Sequence, residues 1–371
     1  MSERPGTLGV VGAGTMGAGI AQVALEAGWT VRLHDAVPSI VERAWVAIES
    51  GLRRGASKRE LPEAEAEAWI SGRLGRLTAA PSLADLAAGG DLVIEAAIED
   101  LGAKRAIFGE LDRVAAPGTI LATNTSALSV SAIAEAATIA PGRVLGLHFF
   151  NPAPVLRLVE VVAGLRTAPA ALERATAIVA EWGKTPVRST DSPGFIVNRV
   201  NRPFTIEALR MLEAGEASVG DIDAAMRATG FPMGPFELMD LVGLDVNLAA
   251  ATAIWEGLGR PERLRPSPVQ AWLVEQGRLG RKSGAGFYRR DPNGIAVPVP
   301  LPVEVATSAR NGAAPAAIAD RIRAAIAKEA ILARDAGVAS QSDIETALAL
   351  GAAYPGSPFS WGRGSDPTIP A

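Results

Sequence analysis

The stretch that decides the fold is LGVVGAGTMGAGIAQ, residues 8–22, in which a four-residue apolar run is followed by Gly12-Ala-Gly14-Thr15-Met16-Gly17 and then by an amphipathic helical pattern. Strand, glycine turn and helix in that order form a dinucleotide cradle. Gly12 permits the tight turn, Gly14 lets the backbone approach a pyrophosphate, and Gly17 lets the helix pack close to the sheet, while Thr15 and Met16 open the helix whose N–H groups face the phosphates. The next β-rich run, TVRLHD at 30–35, ends on Asp35, 18 residues after Gly17. A carboxylate there accepts hydrogen bonds from both ribose hydroxyls and repels a 2′-phosphate, so the expected cofactor is NAD rather than NADP. Arg32 lies before the acid rather than just after it, and His34, on an alternating strand, reads as structural.

Outward from this unit the alternation continues. Short β-rich runs at 91–96, 119–123 and 143–150 are separated by alanine-rich helical stretches, and a helical stretch at 170–182 and the run KTPVRS at 184–189 complete the series. That pattern predicts an α/β Rossmann-type domain with a doubly wound parallel sheet over residues 1–190. After Asp191-Ser192-Pro193-Gly194 the strands stop and an all-α domain is expected over 191–290, with helices at 195–214, 218–229 and about 234–257. Residues 291–316, with AVPVPLPVEV, read as an extended Pro-rich connector, and 317–371 as a second helical unit. That unit is a degenerate repeat of the first. Glu207, Gly215, Ser218, Asp221, Ile222 and Ala225 recur 122 residues later as Glu329, Gly337, Ser340, Asp343, Ile344 and Ala347, and Pro235-Phe236 recurs as Pro358-Phe359.

Composition narrows the function. The 371 residues are 48% hydrophobic and 20% charged, enough to bury two ordinary cores, and a formal net charge of −4 leaves no surplus for a nucleic-acid backbone or an anionic membrane. There is no cysteine, and only two histidines, His34 and His148, so thiolate chemistry is excluded and no metal site is expected. No apolar run approaches the ~20 residues of a spanning helix and the start MSERPG does not resemble a leader, so the chain is expected to be cytoplasmic.

Acid–base chemistry near neutral pH therefore falls on few residues. Ala122-Thr-Asn-Thr-Ser126 and Leu147-His148-Phe-Phe-Asn151-Pro152 stand at strand ends, where reacting groups collect in a doubly wound sheet. A histidine closing an apolar strand is either structural or a base. Glu160, set in the apolar run LVEVV, must find a partner, and a His148–Glu160 pair answers both needs.

These residues carry a resemblance to the L-3-hydroxyacyl-CoA dehydrogenase family of β-oxidation enzymes. The matching segments are GVVGAGTMGAGIAQ (9–22), VIEAAIEDLGAK (93–104), TNTSAL (123–128), HFFNPAPVLRLVEVV (148–162), DSPGFIVNRV (191–200), PMGPFELMDLVGLD (232–245) and GRKSGAGFY (280–288). The resemblance implies His148 as general base oriented by Glu160, and Ser126 and Asn198 as hydrogen-bonding groups to the reacting oxygen or the substrate. It implies Asp35 on the adenosine ribose, with Glu99, Lys104, Ser126, Asn151 and Lys282 around the rest of the NAD. Only five lysines stand beside 31 arginines, yet Lys104 and Lys282 occupy family lysine positions. Segment 46–60 matches loosely. There Lys58 is an expected coenzyme A contact, with a solvated helix face as the competing reading, and Ser50 is a weaker one.

The expected activity is NAD-dependent oxidation of an L-3-hydroxyacyl-CoA to the 3-ketoacyl-CoA, or the reverse. Asn198 lies past the domain boundary, so both domains should contribute. The alternatives are a superfamily dehydrogenase of a free hydroxy acid, gulonate-type, whose HFFNP segment should differ, and a non-catalytic NAD-binding scaffold. Short family members are dimers through their helical domain. The C-terminal repeat is accordingly expected to pack in cis on residues 195–288, with further self-association left open.

Overall fold

The computed structural model describes residues 5–291, 296–299 and 312–361, and the chain divides into two compact units, Met1–Ser192 and Pro193–Ala371. The first contains, in order, β1 (Thr7–Val11), α1 (Thr15–Glu26), β2 (Thr30–His34), α2 (Pro38–Lys58), α3 (Glu63–Leu74), β3 (Leu77–Ala79), α4 (Leu83–Ala87), β4 (Leu92–Glu95), α5 (Leu101–Val114), β5 (Ile120–Thr123), α6 (Val130–Ala134), β6 (Val144–Phe149), β7 (Leu158–Ala163), α7 (Pro169–Glu181) and β8 (Thr185–Thr190). Its sheet has the order β3-β2-β1-β4-β5-β6-β7-β8. Every residue of β4, β5 and β6 is buried, as strands covered on both faces require. One core layer joins Leu8, Val10, Ile20, Leu25, Leu33 and Ile48, and the other joins Phe108, Leu111, Leu121 and Ile133.

Two features differ from the sequence reading. The short strand β3 was not expected, and the sheet is mixed rather than wholly parallel, because β7 runs antiparallel to β6. Residues 150–157 are too few for a crossover, which needs a dozen or more, so the chain turns back directly and sets His148 opposite Glu160. The carboxyl ends of β1, β2, β4, β5 and β6 collect on one edge, with the change of direction between β1 and β4 that marks a ligand crevice in open α/β sheets.

The second unit contains α8 (Val197–Val200), α9 (Arg202–Glu213), α10 (Val219–Ala228), α11 (Pro235–Val242), α12 (Leu244–Gly257), α13 (Pro268–Glu275), the strands β9 (Tyr288–Arg290) and β10 (Ala296–Pro298), α14 (Pro315–Asp335) and α15 (Gln341–Gly351). The helix expected over 234–257 is two helices meeting at 103°. Gly243 makes that bend, with φ +105, where a β-carbon would stand 3.0 Å from Asp245 and 3.2 Å from the Lys282 ammonium. The helix expected over 195–214 is likewise broken, beginning as α8 and restarting as α9, where Pro203 occupies the first turn. Part of the expected connector is strand, since β10 pairs antiparallel with β9, while residues 292–295 and 300–311 lie outside the described residues. Helix α14 buries Ile318, Ile322, Ile326 and Ala330 along one face and packs against α8, α9 and α10.

Candidate active site

The cradle at the end of β1 is built by three glycines in three different ways. Gly12 adopts φ +94 and lies so close to β4's end that a β-carbon would approach the Ala96 carbonyl to 2.6 Å, and a β-carbon on Gly17 would meet the Gly12 oxygen at 1.8 Å. Around Gly14 a β-carbon would meet nothing within 4 Å, so the turn is open on the side where a pyrophosphate would lie. Gly14 is also the N-cap of α1 and offers no side-chain acceptor, which leaves the first-turn N–H groups without a capping side chain. Asp35 accepts the Ala13 N–H at 2.9 Å and the Val37 N–H at 3.0 Å, which fixes its carboxylate beside the turn. Next to it lies a hollow of about 620 Å³ lined by Pro38, Val41, Trp45 and Pro81, an apolar space suited to a flat base. These residues fit a dinucleotide. His34 Nδ1 contacts the Ala80 carbonyl at 2.9 Å, in keeping with a structural role.

At the end of β6, His148 Nδ1 lies 2.5 Å from Glu160 Oε2, the two residues being direct partners across the β6–β7 ladder. Glu160 is fully buried and His148 is 5% exposed. Asn124, just past β5, accepts the Phe149 N–H through Oδ1 at 2.9 Å and so ties the end of β6 to the loop carrying Ser126. That loop is held by Glu99, whose Oε1 accepts from the Thr125 hydroxyl (2.6 Å), the Ser126 N–H (2.9 Å) and the Ala127 N–H (3.1 Å). Burial raises the Glu99 pKa, but the Thr125 bond, the Lys104 charge and the two amides together bring it below the ordinary carboxylate value.

A cavity of about 330 Å³ runs between α1, α2 and the 151–155 loop. Thr15 and Asn151 line it together with Arg54, Lys58 and Arg59 of α2 and the turn that follows it. Ser50 is absent from its lining and accepts a bond from Arg54 at 2.8 Å. Among the described residues no cluster of three or more His, Asp or Glu could hold a metal ion.

Residues 7–192 match the model of the 3-hydroxyacyl-CoA dehydrogenase NAD-binding domain and residues 194–290 that of the 3-hydroxyacyl-CoA dehydrogenase C-terminal domain. The chain belongs to the 3-hydroxyacyl-CoA dehydrogenase family. It is 48% identical to 3-hydroxyadipyl-CoA dehydrogenase of Escherichia coli K12 over 76% of its own length, and spans only 58% of that protein. It is 43% identical to the mitochondrial hydroxyacyl-coenzyme A dehydrogenase of Sus scrofa, over 76% of this chain and 90% of that one. The crystal structure of a 3-hydroxybutyryl-CoA dehydrogenase from Escherichia coli K12 resembles it with a TM-score of 0.85 and 36% identity, over 97% of this chain and 91% of that one. As a member of this family the chain is an oxidoreductase acting on a CH–OH group with NAD as cofactor.

The three lysines singled out in the sequence sit in three different settings. Lys104 is wholly buried, its ammonium 2.7 and 2.9 Å from the two oxygens of Glu95 and 3.3 Å from Glu99. Lys282 is half-exposed and paired with Asp245 at 2.7 Å, and that ammonium holds the Asp245 carboxyl below its usual range. Lys58 lines the cavity. Asn198 is half-buried on α8, in the helical unit.

Glu95 was missed by the sequence reading. At the end of β4 its carboxylate takes Lys104, the Thr123 hydroxyl at 2.7 Å and the Ala97 N–H at 2.7 Å. The signal that pointed to Glu160, a carboxylate in an apolar strand, is equally present in LVIE at 92–95.

Proposed function

We propose that the chain interconverts L-3-hydroxyacyl-CoA and 3-ketoacyl-CoA with His148 as the general base and Glu160 as its partner. What carries this reading is the 2.5 Å contact between His148 Nδ1 and a fully buried carboxylate, at a strand end that Asn124 ties to the loop carrying Ser126. With Nδ1–H donated to Glu160, the neutral imidazole carries its lone pair on Nε2, the atom that takes the substrate hydroxyl proton in oxidation and returns it in reduction. Glu160 offsets the charge on the imidazolium so formed. Ser126 donates a hydrogen bond to the substrate oxygen as it changes between hydroxyl and carbonyl. NAD, when bound, supplies the two-electron acceptor. Gly14 and the first turn of α1 would hold its pyrophosphate, Asp35 its adenosine ribose, and Asn151 its remaining polar groups. Lys104 acts on it through Glu99. Lys58, joined by Arg54, meets the phosphates of the coenzyme A arm along the cavity between α1 and α2.

The decisive measurement is NADH formation across 3-hydroxyacyl-CoA esters of several chain lengths, with free hydroxy acids as controls. The native protein should turn over the thioesters and not the free acids. His148→Ala should lower turnover by about 10²-fold or more with NAD affinity nearly unchanged, the magnitude expected for loss of a general base. Near-normal turnover by that variant would sink the assignment.

A further inference from the structure

The wall of the cavity opposite α2 is the loop that follows Asn151, in which Ala153 is buried in the core while Val155 is 58% exposed. Val155 and Leu156 donate their N–H groups back to the Pro152 carbonyl, which closes a turn but does not fix that turn against the sheet. It lies close against α1, where a β-carbon on Gly19 would stand 3.2 Å from both Ala153 and Pro154. Behind the loop, in the turn before β8, Lys184 donates from Nζ to the Ala153 carbonyl at 2.5 Å and to the Leu156 carbonyl at 2.9 Å. These two carbonyls bracket Pro154 and Val155, which line the cavity. The charged groups facing the ammonium are Glu26 on α1 and Arg157 just before β7. Glu26 lines the same cavity and is paired with Arg59 at 3.0 Å, so it serves both sides.

We infer that Lys184 is a positioning residue for the acyl-CoA site, a clamp that holds the 153–156 wall at its distance from α1 and α2. The inference rests on the reading of the cavity as the thioester-binding groove. Its consequence is a dependence on pH. Burial brings the Lys184 pKa down to about 8, Glu26 countering that effect and Arg157 adding to it. Below about pH 8 the bonds to the two carbonyls are charge-assisted, and above it a neutral amine makes bonds about half as strong. The wall should therefore slacken on the alkaline side, where substrate binding weakens and NAD binding does not.

The test is steady-state kinetics of the full chain from about pH 7 to about pH 9.5, a range spanning the shifted lysine. KM should be measured separately for a 3-hydroxyacyl-CoA and for NAD. In the native protein the thioester KM should rise above about pH 8 with the NAD KM flat. Lys184→Met should raise the thioester KM about threefold to tenfold at every pH, the loss expected for two such bonds, with kcat changed by less than about twofold. Lys184→Arg keeps the charge far beyond that range and should remove the alkaline rise. Arginine and native profiles with the same rise, or a methionine variant with the native thioester KM, would overturn the clamp. If the methionine variant does not fold, the arginine profile decides alone. A native protein that oxidises no thioester overturns the functional reading instead, which separates the two failures.

Discussion

The helical unit contains two stretches that fold alike and are treated unlike. In each, a helix (α9 or α14) ends at a left-handed glycine, Gly215 with φ +65 and Gly337 with φ +69. A serine then caps the next helix by accepting the N–H three residues on, Ser218 from Asp221 and Ser340 from Asp343. The two stretches also meet each other reciprocally. Arg199 pairs with Glu329 at 2.9 Å and Arg321 with Glu207 at 2.6 Å, and each arginine and each glutamate lies 122 residues from its counterpart. Phe231 packs on Tyr354, its own counterpart in FPMGPF and YPGSPF, with ring centroids 5.1 Å apart. Exchange of partners, with a residue touching its own equivalent, is the signature of an isologous twofold contact, here made within one chain. The difference lies in surroundings. Arg199 and Glu329 are 6% and 1% exposed, and Glu329 also takes Arg263 at 2.7 Å, whereas Arg321 is 41% exposed. The catalytic candidate differs too, since the counterpart of Asn198 is Asp320, whose side chain is 68% exposed. Like sequences make like local structure, and burial decides which copy of an interaction matters.

The largest expected effect comes from removing one side of the comparison. A chain ending at residue 299 lacks α14 and α15 and uncovers the faces of α8, α9 and α10 on which α14 packs. It should aggregate or form a new dimer, because an apolar surface of that kind is not left in water. Light scattering checks this, and an unchanged oligomeric state with full solubility and activity would break the twofold reading. Next comes the pair of ion pairs. Glu329→Ala leaves Arg199 with its guanidinium 6% exposed and without this carboxylate, and should cost about 3–5 kcal/mol in denaturant unfolding. Arg321→Ala removes the related pair, whose arginine is 41% exposed, together with the pair that Arg321 makes with Glu216, and should cost about 0–1 kcal/mol. Equal losses would show that burial does not separate the two.

How much of this was legible in sequence follows from the range of the interactions involved. GAGTMG and Asp35 act within one βαβ unit, so strand, turn and helix could be read directly, and the glycines that end α9 and α14 and the serines that cap the helices after them stood out as repeated residues, though not as caps. Glu160 advertised itself by standing in an apolar strand, and the His148 partnership followed because hardly any other partner existed. The antiparallel turn of β7 was not legible, because it depends on a loop length that propensities do not weigh. Lys184 was hidden for another reason. Its partners are backbone carbonyls 28 and 31 residues away, and no residue type in 153–156 announces them. The break of 234–257 at Gly243 was foreshadowed only by a glycine inside a helical pattern, a feature that many unbroken helices share.

The smallest effect tests the comparison at its finest grain. In the first copy Asp223 on α10 accepts the Phe236 N–H at 2.9 Å and the Glu237 N–H at 3.2 Å, fixing the start of α11. Its counterpart is Glu345, one methylene longer, which accepts instead from the Ser357 hydroxyl at 2.5 Å. Ser357 is in turn the counterpart of Gly234. The two changes compensate. The short acid lies so close to its turn that a β-carbon on Gly234 would fall 2.2 Å from Asp223 Oδ1, whereas the longer acid stands off and lets a serine bridge the gap. The exchange should therefore be tolerated in one direction only. Ser357→Gly removes one half-exposed hydrogen bond and should cost about 1 kcal/mol. Gly234→Ser crowds both the Asp223 carboxylate and its Cα, 2.4 Å from the new β-carbon, and disturbs the two backbone donors although the Tyr288 hydroxyl still donates to Asp223 at 2.7 Å, so it should cost about 2–3 kcal/mol. Thermal unfolding of the two variants measures the asymmetry, and equal shifts in Tm would mean that the acid and the turn residue did not change together.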